Sequence, residues 1–84
     1  MQYKIAMTTE DKIKSIISKA LAIDISEVTL ELSTGDIQQW DSVGNLNVIE
    51  MIQTEFNIEI PFDDLFELTS VQDYINEVKK LTHE

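Results

Sequence analysis

The sequence predicts an all-α, antiparallel-type four-helix bundle with a long first loop and a short third helix. Three observations carry that expectation. Apolar residues recur at helical spacing in separate stretches of the chain. Capping residues stand at the starts of those stretches. Only two glycines and one proline are present to interrupt them. With 84 residues and 43% hydrophobic side chains, the chain can fill one small core but not wall a deep enzyme cleft.

The elements follow in order. Residues 1–8 read as a short mobile lead-in, followed by a domain over residues 9–81 and a tail at 82–84. Ile13, Ile16, Ile17, Ala20 and Leu21 repeat at i, i+3, i+4, i+7 and i+8, which places helix I at about residues 9–22. Thr8 or Thr9 is available as its cap, and Glu10 and Asp11 suit the positive end of the helix dipole. Ile23 to Asp41 keeps no period. Its turn formers Asp24, Ser26, Ser33, Gly35 and Asp36 alternate with Val28, Leu30, Leu32, Ile37 and Trp40, so the loop is expected to dock apolar side chains onto the bundle.

Helix II is expected at about residues 42–57. Val43, Leu46, Val48, Ile49, Met51, Ile52 and Phe56 make it apolar almost all round, which suits the middle of a bundle in contact with every other element. One narrow strip escapes: Asn47, Glu50 and Thr54, with Val43 on the same line. Pro61 closes the next stretch, and Phe62 to Glu67 reads as a short helical turn with acids near its start. Thr69 and Gln72 have capping-box spacing. Val71, Tyr74, Ile75 and Val78 then define helix IV, about residues 70–81, with Lys79 and Lys80 at its negative end.

Composition limits the chemistry. Sixteen acidic against six basic residues leave a net charge of −10. That balance disfavours nucleic acid, whose phosphates demand Lys and Arg, and an anionic membrane surface; it favours basic protein partners. There is no cysteine, so any thioester chemistry needs a thiol brought in by a cofactor. The first seven residues are too short and polar for a signal segment and no run spans a membrane, so a cytoplasmic location is expected; the chain is also expected to be a monomer. His83 stands in the tail, far from a place where it could serve a nucleophile. Asp63 and Asp64 are adjacent and diverge on a helix, which suits compensation of the dipole rather than acid–base work. Asp36, Asp41 and their neighbours lack the alternating ligands of a calcium loop, and no metal site is expected. Trp40 and Phe56 read as core aromatics, with Trp40 also placed to wall a channel for cargo beside Ser42.

Asp41-Ser42-Val43 is the stretch that points to a function. It sets a hydroxyl in the first turn of helix II, beside a carboxylate able to cap that helix, where free N–H groups favour an anion. A plain N-cap has the same appearance.

The surrounding chain adds more. Trp40-Asp41-Ser42-Val43 opens the second helix of a small, acidic, cysteine-free pattern. Downstream stands Phe56-Asn57-Ile58-Glu59-Ile60-Pro61 and then a short third helix. Together these resemble the acyl carrier protein family, from about Thr9 to Lys80, with Val43 where leucine is commoner. The resemblance implies that Ser42 carries 4′-phosphopantetheine, that Asp41 helps present it, and that Val43, Asn47 and Glu50 form the recognition face. It implies a carrier rather than an enzyme, with an interior that shelters an acyl chain. The implied partners are a phosphopantetheinyl transferase and acyl-transferring or condensing enzymes with basic docking surfaces. Trp40 replaces the small residue usual before Asp-Ser in fatty-acid carriers. Gly44, Asn47, Gln53 and Thr54 dilute the acidity of helix II, which points to a stand-alone carrier of a specialised pathway. An aminoacyl or peptidyl carrier shares the same serine, and an unmodified helical module shares the same cap.

Overall fold

A computed structural model describes residues 7–84; the expected mobile lead-in falls largely outside them. Among the described residues there are four α-helices and no strand, only a single antiparallel bridge between Ser33 and Ser70. The helices are α1 (Thr9–Leu21), α2 (Ser42–Phe56), α3 (Phe62–Leu65) and α4 (Val71–Leu81), with a 3-10 turn at Ile25–Glu27. No helix of the described residues is long and apolar enough to cross a membrane.

Local chemistry sets the ends. Thr8 caps α1: its hydroxyl accepts from the Asp11 N–H at 3.1 Å, and the Asp11 carboxylate accepts in return from the Thr8 N–H. Two of the orphan donors at that end are thereby satisfied. Helix α2 stops at Asn57, which takes the left-handed conformation (φ 52°) that asparagine tolerates better than most residues. Gln53 then holds the exit, its Oε1 accepting from the Ile60 N–H at 2.9 Å, just before Pro61. The cap of α4 lies one residue later than the spacing of Thr69 and Gln72 suggests. Ser70 is the N-cap and Asp73 completes the box, while Gln72 donates to Asn76 instead. A shorter acid at the third position reaches back to the N–H groups of both Thr69 and Ser70. These bonds, led by that of Thr69, hold the Asp73 carboxyl below its usual range.

The long loop joins the fold through its backbone as well as its side chains. Ile23, Val28 and Trp40 are buried, and Leu30, Leu32 and Ile37 pack partly buried against the same core. Leu32 and Leu30 carbonyls accept from the Val71 and Gln72 N–H groups at 2.9 and 3.0 Å. The Asp73 N–H finds Ser70 Oγ, so the first three donors of α4 all have partners.

Helix α2 is not the centre of the bundle. It is α1, with Ile13 and Ile17 fully buried, that packs against α2, α4 and the 3-10 turn. Helix α2 instead buries one side, through Gly44, Val48, Ile49 and Ile52, and shows the other to solvent. Leu46, expected in the core, is 61% exposed. At 100° per residue it lies only about 60° from Val43, so the exposed strip is wider than the polar residues alone suggest.

Glu77, on α4, is buried. Lys80 Nζ reaches its Oε1 at 3.3 Å and Asp64 Oδ2 at 3.1 Å, while Glu77 Oε2 has no partner. Burial, and then the neighbouring Asp64, push the Glu77 carboxyl above its ordinary value of 4.5. The neighbouring Glu77, and then Lys80, hold the Asp64 carboxyl low. The folded state thus binds the Glu77 proton more tightly than the unfolded chain does. That contribution is complete below the unfolded pKa and is lost as pH rises through the folded one. Glu77→Gln, which keeps the neutral shape, should therefore melt above the parent at neutral pH, with the gap closing as pH falls toward 4. Equal melting at neutral pH would show that the buried carboxylate costs nothing.

Candidate functional site

The turn that presents Ser42 is built from the end of the loop. Gly35, at φ 87°, occupies a region open to glycine at little cost, and its N–H donates to the Trp40 carbonyl at 2.9 Å. Asp36 closes the same turn by accepting from the Ser33 N–H at 2.8 Å. Its carboxylate is thus a turn element, and among the described residues no cluster of acids or histidine is placed to hold a metal ion. The chain then passes through Trp40 to Asp41, the N-cap of α2, whose Oδ1 accepts from the Gly44 N–H at 2.8 Å. Ser42 is the first residue of that helix. Its side chain is exposed, and its hydroxyl makes no hydrogen bond with another described residue.

Two neighbours to which the sequence reading gave no part in the site prove central. Gly44 sits where a Cβ would run into the backbone carbonyl of Gln39 and come within 2.9 Å of Leu21 Cδ2. The first turn of α2 therefore lies flush against both the loop and the end of α1. Asn45 is a polar node between core aromatics: its Oδ1 accepts from Trp40 Nε1 at 3.0 Å and from the Tyr74 hydroxyl at 2.7 Å. The two rings stack with centroids 6.3 Å apart. Burial pushes the Tyr74 hydroxyl up to about 12, so it remains a donor at neutral pH. Trp40 itself is fully buried, as a core aromatic, and also lines the cleft next to Ser42. A glycine in the first turn and a lone amide on the inward side of α2 were the available signals. Neither has a period to betray it.

Ser42 opens onto that shallow cleft of about 370 Å³, lined by Thr34, Gly35, Trp40, Asp41 and Asn45. Val43 is 67% exposed, and Asn47 and Glu50 are exposed on the same side of α2. Leu46 widens the apolar part of this face. Glu50 also borders an open groove of about 650 Å³ with Ile16, Lys19 and Met51. A second apolar patch stands at the two ends of α3, where Phe62 and Phe66, both largely exposed, meet edge to face at 5.1 Å.

The arrangement suits modification of the serine rather than catalysis by it. Asp41 Oδ1 is spent on the Gly44 N–H, and the sole histidine, His83, is exposed in the tail; an activated nucleophile needs a base within hydrogen-bond reach. An exposed hydroxyl at the positive end of a fifteen-residue helix suits a phosphate ester instead.

Comparison with known proteins identifies the family. Residues 11–78 match the family described as the phosphopantetheine attachment site. The chain is 35% identical over 74 residues to the acyl carrier protein of Clostridium acetobutylicum, covering 88% of this chain and 96% of that one. Its fold is similar to the solution structure of the holo acyl carrier protein from Geobacter metallireducens. That likeness has a TM-score of 0.80 at 28% identity and covers 92% of this chain and 88% of the other. The chain thus belongs to the acyl carrier protein family, carriers rather than enzymes, whose prosthetic group is covalently bound phosphopantetheine.

Proposed function

We propose that Ser42 is the attachment point of the 4′-phosphopantetheine arm. The observation that carries this reading is the exposed, unengaged hydroxyl at the first turn of α2, held there by the Asp41 cap. The residues fit the group. The start of a helix favours its phosphate, and the cleft beside Ser42 leaves room for its base. The arm supplies the terminal thiol that this cysteine-free chain lacks, on which acyl groups are carried as thioesters. Ser42 Oγ attacks the pantetheine-bearing phosphorus of coenzyme A and loses its proton to a base of the transferase. The diphosphate P–O bond breaks and the nucleotide leaves with its own phosphate. Asp41 fixes the turn that presents the hydroxyl. Sheltering an acyl chain inside the bundle requires packed side chains of the core to part.

Incubation with coenzyme A and a broad-specificity phosphopantetheinyl transferase should add one arm, seen by intact mass. Ser42→Ala should melt within about 0.5 kcal/mol of the parent and take up none. An adduct persisting in that variant, at Ser33 or Ser70 for example, would overturn the assignment.

The partners of such a carrier are the transferase and the acyl-transferring or condensing enzymes of a fatty-acid, polyketide or other specialised pathway. Val43, Asn47 and Glu50 are proposed as the docking face, with Leu46 beside them. Charge at a rim sets encounter rate, whereas a desolvated apolar anchor sets residence. Glu50→Lys should slow association with a basic partner, most visibly at low ionic strength. Val43→Ala should weaken the formed complex by about 1–2 kcal/mol and leave folding stability almost unchanged, because the side chain is exposed. Transferase kinetics paired with thermal melts check both. A Val43→Ala variant that loses stability but not affinity would sink this face.

A further inference from the structure

We propose that the side-chain amide of Asn45 is a binding site for the phosphodiester at the base of the arm, a role that rests on Ser42 as the attachment point. The amide has one acceptor end and one donor end, and its orientation is fixed by chemistry. Trp40 Nε1 and the Tyr74 hydroxyl both approach the same Asn45 atom, at 3.0 and 2.7 Å. An indole N–H can only donate. An atom approached by it and by a protonated phenol is therefore the carbonyl oxygen. The NH₂ group must face the other way, and there it finds no acceptor among the described residues.

That NH₂ is not sealed in the core. The buried side-chain polar atom that lacks a partner among the described residues is Glu77 Oε2, on α4. Asn45 instead lines the cleft that Ser42 opens onto. It follows Ser42 by three residues on α2, so the two side chains neighbour each other on the helix surface at about 5–6 Å between Cβ atoms. A phosphate esterified to Ser42 Oγ presents its free oxygens within that distance.

The need for such a donor is clear from the other walls. Thr34, Gly35, Trp40 and Asp41 complete the cleft; none is a cation, and Asp41 is an acid. An anionic diester placed here relies on backbone N–H groups of the helix start and on the amide of Asn45. A hydrogen bond to a charged oxygen is about twice as strong as one between neutral groups. Trp40 and Tyr74, by holding Oδ1, aim the donor end at the ester; they are positioning residues for it.

The test compares the apo protein with protein loaded from coenzyme A, ¹⁵N-labelled, with the site of loading mapped by mass. The Asn45 side-chain NH₂ resonances should shift on loading, and their exchange with water should slow. If they superimpose in the two forms while the Ser42 and Val43 amides move, the proposal is overturned. Asn45→Asp supplies a second arm, since it keeps an oxygen for Trp40 and Tyr74 and replaces the donor by an acceptor. Loading should then lower the melting temperature relative to the variant's apo form, by more than any change seen in the parent. An identical loaded-minus-apo difference in both proteins overturns it as well. Should that variant not fold, the parent spectra decide. Loading at a residue other than Ser42 is a separate outcome, which removes the attachment reading and this site with it.

Discussion

Trp40→Ala should cost about 3–5 kcal/mol of folding stability, the range for truncating a buried large aromatic. Few substitutions here should cost more. Trp40 is the largest of the fully buried side chains, and it ties three parts of the molecule together. Its ring stacks on Tyr74 of α4. Its indole N–H donates to Asn45 of α2, and its carbonyl accepts from Gly35 in the loop. A small domain has a total stability of roughly 5–15 kcal/mol, so this loss removes a large share of it. Trp40→Phe separates the contributions. It keeps most of the packing and leaves Asn45 with Tyr74 alone, for an expected loss of about 1–2 kcal/mol. Urea denaturation followed by far-ultraviolet circular dichroism measures both. A loss below about 1 kcal/mol for the alanine variant, against the range for such truncations, would mean that the loop closes over the gap and that Trp40 does not anchor it.

Gly44→Ala should destabilise the fold by about 1–3 kcal/mol and slow loading at the adjacent Ser42. The direction is unusual. Alanine is a better helix former than glycine by about 1 kcal/mol, and on an open helix surface the change would help. Here the added methyl meets the Gln39 carbonyl, which belongs to the backbone and cannot rotate aside. Either the loop lifts or the first turn of α2 unwinds, and both displace the Asp41 cap. The melting temperature should fall by roughly 4–8 °C for each kcal/mol lost. Asn47→Ala, on the exposed side of the same helix, serves as the control and should stay within about 0.5 kcal/mol. A Gly44→Ala variant that melts at or above the parent would show that the loop yields without cost.

These two positions also mark what a sequence can and cannot disclose. The helices announce themselves through local signals: apolar spacing in α1 and α4, Thr8 and Asp41 as caps, Pro61 as a stop. Their ends fall within a residue or two of expectation because caps and periods act over a few residues. The docking of Val28, Leu30 and Trp40 was legible for a similar reason, since so many apolar side chains in a loop need a core to enter. The misses share another cause. The exposure of Leu46 depends on which side of α2 the other helices leave open. The Asn45 node needs Tyr74, remote in sequence, and the Gly44 contact needs Gln39 folded back onto its own helix. The central place of α1 is likewise a property of packing, which hydrophobicity alone assigned to the more apolar α2.

The carbonyls of Leu30 and Leu32 that receive the first N–H groups of α4 have a consequence for how the molecule comes apart. A helix start is usually finished by its own neighbours or by water, and it can fray alone. Here the first turn of α4 is completed by a distant part of the chain, so it is whole only while the loop is in place. Loop and helix start therefore belong to one cooperative opening unit. Hydrogen exchange at the Val71 and Gln72 amides reports release of the loop rather than fraying of a helix end. Because that same loop ends in Trp40 and Asp41, the protection of two amides on α4 becomes a distant gauge of how firmly the Ser42 turn is held.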